Sequence, residues 1–426
     1  MHPPSFTMHT RVFSLLLLLA SHAHAASPGG SLSLSDALAL SLRQNPELKS
    51  YDWDIRAAEA RTLQAGLKPN PVINYSAQNL PGSGPYRGGD IMENTLELGQ
   101  LVELGGKRQA RVNEAAAGRS VAEWAYQVRR VEVLKNTTQA FVAVLAAQRQ
   151  VQLAEETAAL SEKVTPMTQK RVEAGKANAV EVMRSKVAVA SAKIEMEQAK
   201  RTLATARINL AVQWGAQTAN FDSVKGDLEG IKAVPKFSTL VQRIQSNPEI
   251  ARWSAERDRR YAALAKQRSL AKPDITVSAG PRMLGKGDDI SFVVGFSIPL
   301  PFKNKNQGGI AEAEAEIAKT DSERKTSEMN VYAQLSAAYQ VLLRATTEVE
   351  LLNKDVLPGA KEAEEAVMQG YEAGRFTQLE ILDARRTLIQ ARNQHLRALT
   401  DYHQAQAEIA ALTAAPISLQ RSNAAK

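Results

Sequence analysis

The chain contains two copies of one pattern. Asn45-Pro46-Glu47 recurs 202 residues later as Asn247-Pro248-Glu249, and Glu173-Ala174-Gly175 recurs 199 residues later as Glu372-Ala373-Gly374. Lys68-Pro69, leading into Val72-Ile73-Asn74-Tyr75-Ser76-Ala77, returns as Lys272-Pro273, leading into Ile275-Thr276-Val277-Ser278-Ala279. Glu181-Val182 follows the first Glu-Ala-Gly, and Glu380-Ile381 follows the second. Landmarks at near-constant offset mean one supersecondary unit used twice, so any fold must accommodate two copies. The repeats divide the chain into 26–230 and 231–426.

Each half reads in the same order. A helix comes first, 33–66 and 237–271, with Ser33-x-x-Asp36 suited to a capping box and Pro69 or Pro273 ending it. Two alternating runs follow, 72–80 with 91–104 and 274–282 with 289–300. In the last, Phe292, Val294, Phe296, Ile298 and Leu300 share one face, while Ser291, Gly295, Ser297 and Pro299 share the other. Period-two patterning marks strands apolar on one side and polar on the other. About ten residues suits a tilted transmembrane strand, although half-buried strands of a soluble sheet share the pattern. Long helical stretches come next, each predicted as a hairpin over 107–214 and 307–414. Their first arms, Lys107–Glu173 and 307–373, hold 67 residues each. At 1.5 Å per residue that is about 100 Å of helix, far beyond the ordinary soluble helix of about 11–12 residues.

Residues 1–25 read as a secretory signal peptide: Arg11, an apolar core through Leu15–Leu19, and the small-residue site Ala23-His24-Ala25. No later apolar run is long enough for a membrane helix, so a membrane would have to be met with strands or a surface helix. Four strands cannot close a barrel, and lipid does not tolerate an open edge. Three chains would supply twelve strands, and two would supply eight.

The 426 residues include no cysteine, which removes disulfides, thiol catalysis, Cys-based metal sites and a lipid-anchored cysteine. With 53 Lys+Arg against 45 Asp+Glu, the net charge of +8 is modest and is not gathered into a nucleic-acid patch. Catalytic motifs are absent. Gly105-Gly106-Lys107-Arg108 lacks the first Gly and the Ser/Thr of a phosphate loop and reads as a strand-to-helix turn. Pro81-Gly82-Ser83-Gly84-Pro85 and Asp288-Asp289 read as exposed hairpin loops. His395 and His403 have no neighbouring His or Cys partner, and methionine is scattered. The expectation is a non-enzymatic protein with no cofactor and no resident metal.

Gln64-Ala65-Gly66-Leu67-Lys68-Pro69-Asn70-Pro71, then Leu101-Val102-Glu103-Leu104-Gly105-Gly106-Lys107-Arg108, resembles the TolC family of outer-membrane efflux channels. Tyr371-Glu372-Ala373-Gly374 leading into Leu379-Glu380-Ile381-Leu382-Asp383-Ala384 is a second signature. The local sequence is most similar to the cobalt–zinc–cadmium, CzcC-like branch. The resemblance covers essentially the whole mature chain. It implies a mainly α fold with a small β part: a homotrimer whose twelve-stranded outer-membrane barrel, embedded in outer-membrane lipid, continues into an α-helical periplasmic tunnel. It further implies a passive channel for heavy-metal cations, served by a periplasmic adaptor (membrane fusion protein) and an inner-membrane RND pump, with no nucleic-acid partner. A multidrug or type I protein-secretion channel is the alternative, followed by a periplasmic coiled-coil adaptor.

The resemblance also implies roles for individual residues. Glu380 and Asp383 match two acids that narrow the periplasmic mouth, and i, i+3 spacing puts both on one helix face. Three copies would gather six carboxylates, a field favouring cations. Glu181 is the repeat mate of Glu380, and Arg184 stands where the second acid would be. Tyr371 matches a latch tyrosine, with Glu181 its expected acceptor. Phe376 occupies the latch arginine position, so Arg375 is the only adjacent substitute and Phe376 is expected to pack. The turns at Ala174-Gly175 and Ala373-Gly374 are expected to dock the adaptor.

Overall fold

The computed structural model describes residues 30–285 and 289–415. The expected signal peptide at 1–25 and Asp288 lie outside the described residues. In chain order the elements are β1 (Ser31–Ser33), α1 (Leu34–Gln44), α2 (Pro46–Gly66), β2 (Val72–Gln78), β3 (Glu93–Val102), α3 (Lys107–Glu173), α4 (Ala179–Val212), β4 (Ser223–Lys225), α5 (Phe237–Arg243), α6 (Pro248–Leu270), β5 (Ile275–Leu284), β6 (Asp289–Ser297), α7 (Gln307–Leu351), α8 (Leu357–Glu372) and α9 (Gln378–Leu412). They form two compact units. Among the described residues, one takes 30–48, 130–244 and 332–415, the other 49–129, 245–285 and 289–331, so each draws on both sequence repeats.

Three helices expected to be continuous are broken, each at proline. Proline disfavours the helical conformation in the residue before it. Asn45 accordingly sits at φ −55°, ψ 122°, and its side chain accepts from the Glu47 and Leu48 amides at 2.9 and 3.0 Å, opening α2. Asn247 repeats the device at φ −65°, ψ 128°, accepting from the Glu249 amide at 2.7 Å. What reads as 33–66 and 237–271 is therefore α1 with α2, and α5 with α6. The third break separates α7 from α8. Pro358 has no N–H to give the preceding turn, and Leu352–Val356 widens into a π turn in which the Leu357 amide bonds to the Leu352 carbonyl. Pro166, by contrast, is carried inside α3 without interrupting it.

The second unit holds a four-stranded antiparallel sheet in the order β2-β3-β5-β6. The register pairs Ile73 with Leu98, Tyr75 with Leu96, Leu98 with Ala279, Val277 with Phe296 and Ala279 with Val294. These residues form one apolar face, and it is open: Phe292 is 82% and Phe296 80% exposed. The opposite face carries Asn74, Ser76, Thr95, Glu97, Ser278, Arg282 and Ser291. The outer edges of β2 and β6 have no partner within the sheet.

Ion pairs hold the strand ends to the helices. Lys107 Nζ meets Asp274 at 2.8 Å, and the Leu104 amide donates to the same carboxylate at 2.9 Å. Burial pushes the Asp274 carboxyl up, but these donors outweigh it and hold it below its ordinary range. Arg111 grips Glu103 through both terminal nitrogens. Further along the same unit, Arg260 bridges Glu256, Glu316 and Glu323.

The first unit is built on Leu32, Leu34, Phe141, Val144, Leu145, Leu210, Phe221, Val349, Leu396 and Leu399. Two three-residue strands, β1 and β4, pair in parallel and fasten the start of the chain to the inter-repeat segment. Neither strand was evident from the sequence. The segment after β4 is strapped to α9: His403 Nε2 bonds to the Leu228 carbonyl at 2.8 Å, and Tyr402 Oη accepts from the Lys232 amide at 2.7 Å. Burial pushes the His403 imidazole below its ordinary value. His395, the other buried histidine among the described residues, lies with its Nε2 3.7 Å from the Glu229 carboxylate.

Gly280 is the tightest point of the sheet. Proline at 281 cannot donate to β3, and there the Leu96 carbonyl closes on Gly280, so that a Cβ at 280 would overlap the oxygen. Gly280→Ala is expected to cost about 1–3 kcal/mol and to abolish the heat-modifiable migration typical of a folded barrel. Gly118→Ala, where nothing lies within 4 Å of the new carbon, serves as the silent control.

Candidate functional site

The two helical hairpins of the first unit reverse through turns built alike. At the first, Gly175 takes φ +70°, the Gly175 amide bonds to the Val172 carbonyl at 2.9 Å, and the Lys176 amide bonds to the Arg171 carbonyl at 2.8 Å. At the second, Gly374 takes φ +76°, with Gly374 to Tyr371 at 3.0 Å and Arg375 to Gly370 at 2.7 Å. This is the glycine-closed helix end in which a left-handed residue lets the chain satisfy its last carbonyls. Ala174 and Ala373 precede these glycines, and all four residues are exposed.

A capping box then starts each return helix. Asn178 accepts from the Val180 amide at 3.0 Å while Glu181 accepts from the Asn178 amide at 3.4 Å. Thr377 and Glu380 do the same at the head of α9, where the Glu380 carboxylate accepts the Thr377 amide at 2.6 Å and its hydroxyl at 2.8 Å. The amide first, and the hydroxyl with it, holds the Glu380 carboxyl below its ordinary value. Both glutamates singled out from the sequence are thus occupied by their own helix starts. The spacings Asn178-x-x-Glu181 and Thr377-x-x-Glu380 carry this signal in the sequence.

On α9, Gln378, Ile381, Arg385 and Leu388 are buried, whereas Glu380 and Asp383 are exposed, so the two acids share the outward face. They are not alone there. Exposed Arg386 lies one turn beyond Asp383, and Arg184 stands at the matching position of α4. Arg385 turns inward instead, meeting Glu364 of α8 at 3.1 Å.

Tyr371 is 1% exposed. Its hydroxyl pairs with Thr168 Oγ1 of α3 at 3.1 Å, and because Thr168 donates to the Val164 carbonyl, the tyrosine is the donor. The Arg171 guanidinium lies over the ring, 4.1 Å from its centroid, and also donates to the Tyr371 carbonyl. Glu181, the expected acceptor, is not Tyr371's partner within the chain, because its carboxylate caps α4. What joins α9 to the Glu181 turn is Gln378, whose Nε2 donates to the Glu181 carbonyl at 2.7 Å. Phe376 packs against Gly370, where a Cβ would overlap the ring. Thr168, Arg171 and Gln378 are the members that sequence reasoning missed. They come from the other repeat or from an unremarkable helix position, and no motif announces them.

Farther along the same helices a groove of 1160 Å³ is lined by Lys163 of α3, Ala192 and Glu195 of α4, Glu365 of α8 and Arg386 of α9, among others, and by none of the clamp residues. Among the described residues, no group of three or more His, Asp or Glu is placed to hold a metal ion.

A family model described as "Outer membrane efflux protein" matches residues 37–216 and 239–415. The chain belongs to the outer membrane efflux protein family. It is 31% identical over 376 residues to the cobalt-zinc-cadmium resistance protein CzcC of Cupriavidus metallidurans, covering 88% of each chain. It is 26% identical over 329 residues to the nickel-cobalt-cadmium resistance protein NccC of Alcaligenes xylosoxydans xylosoxydans, covering 77% of this chain and 73% of that one. Among solved structures, CusC superposes with a TM-score of 0.76 at 15% identity over 93% of this chain and 96% of that one. The family is a transport component of the outer membrane. None of the described helices is long and apolar enough to cross a membrane.

Removing the Tyr371 hydroxyl with Tyr371→Phe is expected to destabilise the tip by about 1 kcal/mol. Thr168→Val in the same background should add little, since the partner is already gone. Amide hydrogen exchange across 165–180 and 368–382 reads both effects. Additive losses would show that the two groups act independently.

Proposed function

We propose that three copies of this chain assemble into an outer-membrane channel that passively conducts heavy-metal cations delivered by an inner-membrane RND pump and a periplasmic adaptor. The observation that carries the trimer is the sheet: four strands, apolar on one face and polar on the other, with two unpartnered edges. Lipid cannot satisfy those edges, and three copies in a ring satisfy all of them with a lumen wide enough for water. The metal cargo is supported by the cobalt, zinc, cadmium and nickel resistance named for the relatives CzcC and NccC. Conduction in this reading needs no chelating site in the wall.

Glu380 and Asp383 are assigned to the mouth of the pore, where they bias the field toward cations. Glu181 contributes from the start of α4, its effect opposed by Arg184. Tyr371 keeps the two hairpins together through Thr168 and Arg171, which makes it a latch within the protomer. Phe376 adds packing where an arginine would add charge. The exposed turns at Ala174-Gly175 and Ala373-Gly374 offer close backbone approach to an adaptor's helical hairpin.

Purified channels in planar bilayers under a salt gradient test the gate. Glu380→Gln with Asp383→Asn is expected to lower the cation-to-anion permeability ratio severalfold, and an unchanged reversal potential would remove both acids from the pore mouth. A deletion strain should become sensitive to zinc, cobalt or cadmium and be rescued by the wild-type gene. Sensitivity to organic drugs alone would replace the metal reading with the multidrug one.

The Thr377 cap adds a pH dependence. Because Glu380 is held below its ordinary value, its charge and its capping contribution are present at neutral pH. The charge persists below the ordinary carboxylate pKa, whereas the capping contribution is full only above that ordinary value and declines until pH has fallen through the lowered one. Thr377→Val removes the hydroxyl donor, so the acid midpoint for loss of cation selectivity should move to higher pH than in the wild type.

A further inference from the structure

The two rims of the membrane-facing sheet differ in charge. At one rim the chain enters β2 and β5 and leaves β3 and β6, and the flanking residues include Lys68, Lys107, Arg108, Lys272, Lys303 and Lys305. Lys107 is buried on Asp274. The other five are exposed, and none has an ion-pair partner among the described residues. At the opposite rim the described residues carry Arg87, Asp90 and Asp289, with no excess of cations. Arg282, nearest that rim within the strands, is paired with Glu93 at 3.1 Å.

The free cations alternate with exposed apolar side chains. Leu67 precedes Lys68, Leu270 lies two residues before Lys272, and Leu300 and Phe302 precede Lys303. Phe302 is 81% exposed. A cavity of 800 Å³ at this rim is lined by Lys272, Phe302 and Lys303 together with Leu101, Leu300 and Ser297. The Lys272 stem lies across Gly105, where a Cβ would come within 2.6 Å of its Cδ, so packing restrains its path. A second cavity of 850 Å³ joins Leu67 and Lys68 to Arg61.

A soluble acidic partner would be met by charge alone, whereas this rim continues an apolar face that is open to hydrocarbon. A ligand that matches both features carries an anionic phosphate beside acyl chains. We propose that this rim binds anionic phospholipid headgroups, of the phosphatidylglycerol type, in the periplasm-facing leaflet of the outer membrane. Lysine stems lie along the apolar surface and deliver their ammonium groups at headgroup depth, while Phe302 and Leu300 enter the acyl boundary. The assignment rests on the sheet lying in the membrane and is independent of which cargo the channel carries.

The test is native mass spectrometry of the full-length protein in detergent, titrated with phosphatidylglycerol or with phosphatidylcholine of the same chain length. The wild type is expected to retain phosphatidylglycerol about tenfold more than phosphatidylcholine, with the preference shrinking as ionic strength rises. The variant carrying Lys68→Gln, Lys272→Gln, Lys303→Gln and Lys305→Gln should approach parity while keeping heat-modifiable migration on gels. Arg87→Gln at the other rim should leave the preference intact. If the fourfold variant fails to fold, Lys303→Gln and Lys305→Gln singly must each reduce the preference. Equal retention of the two lipids by the wild type would overturn the proposal, as would a preference that survives the lysine changes. A preference abolished by millimolar inorganic phosphate would also overturn it, by marking a site for the free ion.

Discussion

A strand edge exposes amide and carbonyl groups that hydrocarbon cannot solvate, each at a cost of several kcal/mol. In this chain β2 and β6 both present such an edge, and the rest of the second unit is organised around that fact. The period-two pattern gives the sheet one face for lipid and one for water. Gly280 lets two backbones approach where proline has removed a donor. Lys107–Asp274 and Glu103–Arg111 fasten the strand ends to the helices that follow or precede them. Edges that must be closed by other copies need strands held at a defined register, and these roots supply it.

Duplication explains why the tips of the first unit look alike and why they are not equivalent. Both use a left-handed glycine and a capping box, so each hairpin reverses through the same backbone path. Three residues past the capping glutamate, however, one copy has Arg184 and the other Asp383. The clamp is also asymmetric. Tyr371 comes from the second repeat, while Thr168 and Arg171 come from the first, so neither repeat could build the contact from its own residues.

Much of this was legible in the sequence because it repeats at short range. Alternation over Phe292, Val294 and Phe296 exposes a strand without any tertiary information. Glycine after a charged helix end marks the tip turns. The helix breaks are local too, since Asn45-Pro46 and Asn247-Pro248 each place a capping side chain directly before a proline. Other features are set by contacts between residues far apart in the chain. β1 and β4 have three residues each, too few for a period. Tyr371 pairing with Thr168 depends on helix packing, and the capping boxes give Glu181 and Glu380 backbone partners. Where local and tertiary demands compete for one side chain, the nearer backbone donor wins.

The π turn at Leu352–Val356 has a consequence for everything that follows it. A turn holding one extra residue shifts the side chains beyond it by about 100° relative to an unbroken helix. Gly370 and Tyr371 on α8 face inward with that shift included. Proline at 358 therefore acts as a phase setter, fixing at a distance which side of the hairpin meets its neighbour. Losing a single residue from the π turn would leave the tip chemically unchanged and aimed in the wrong direction.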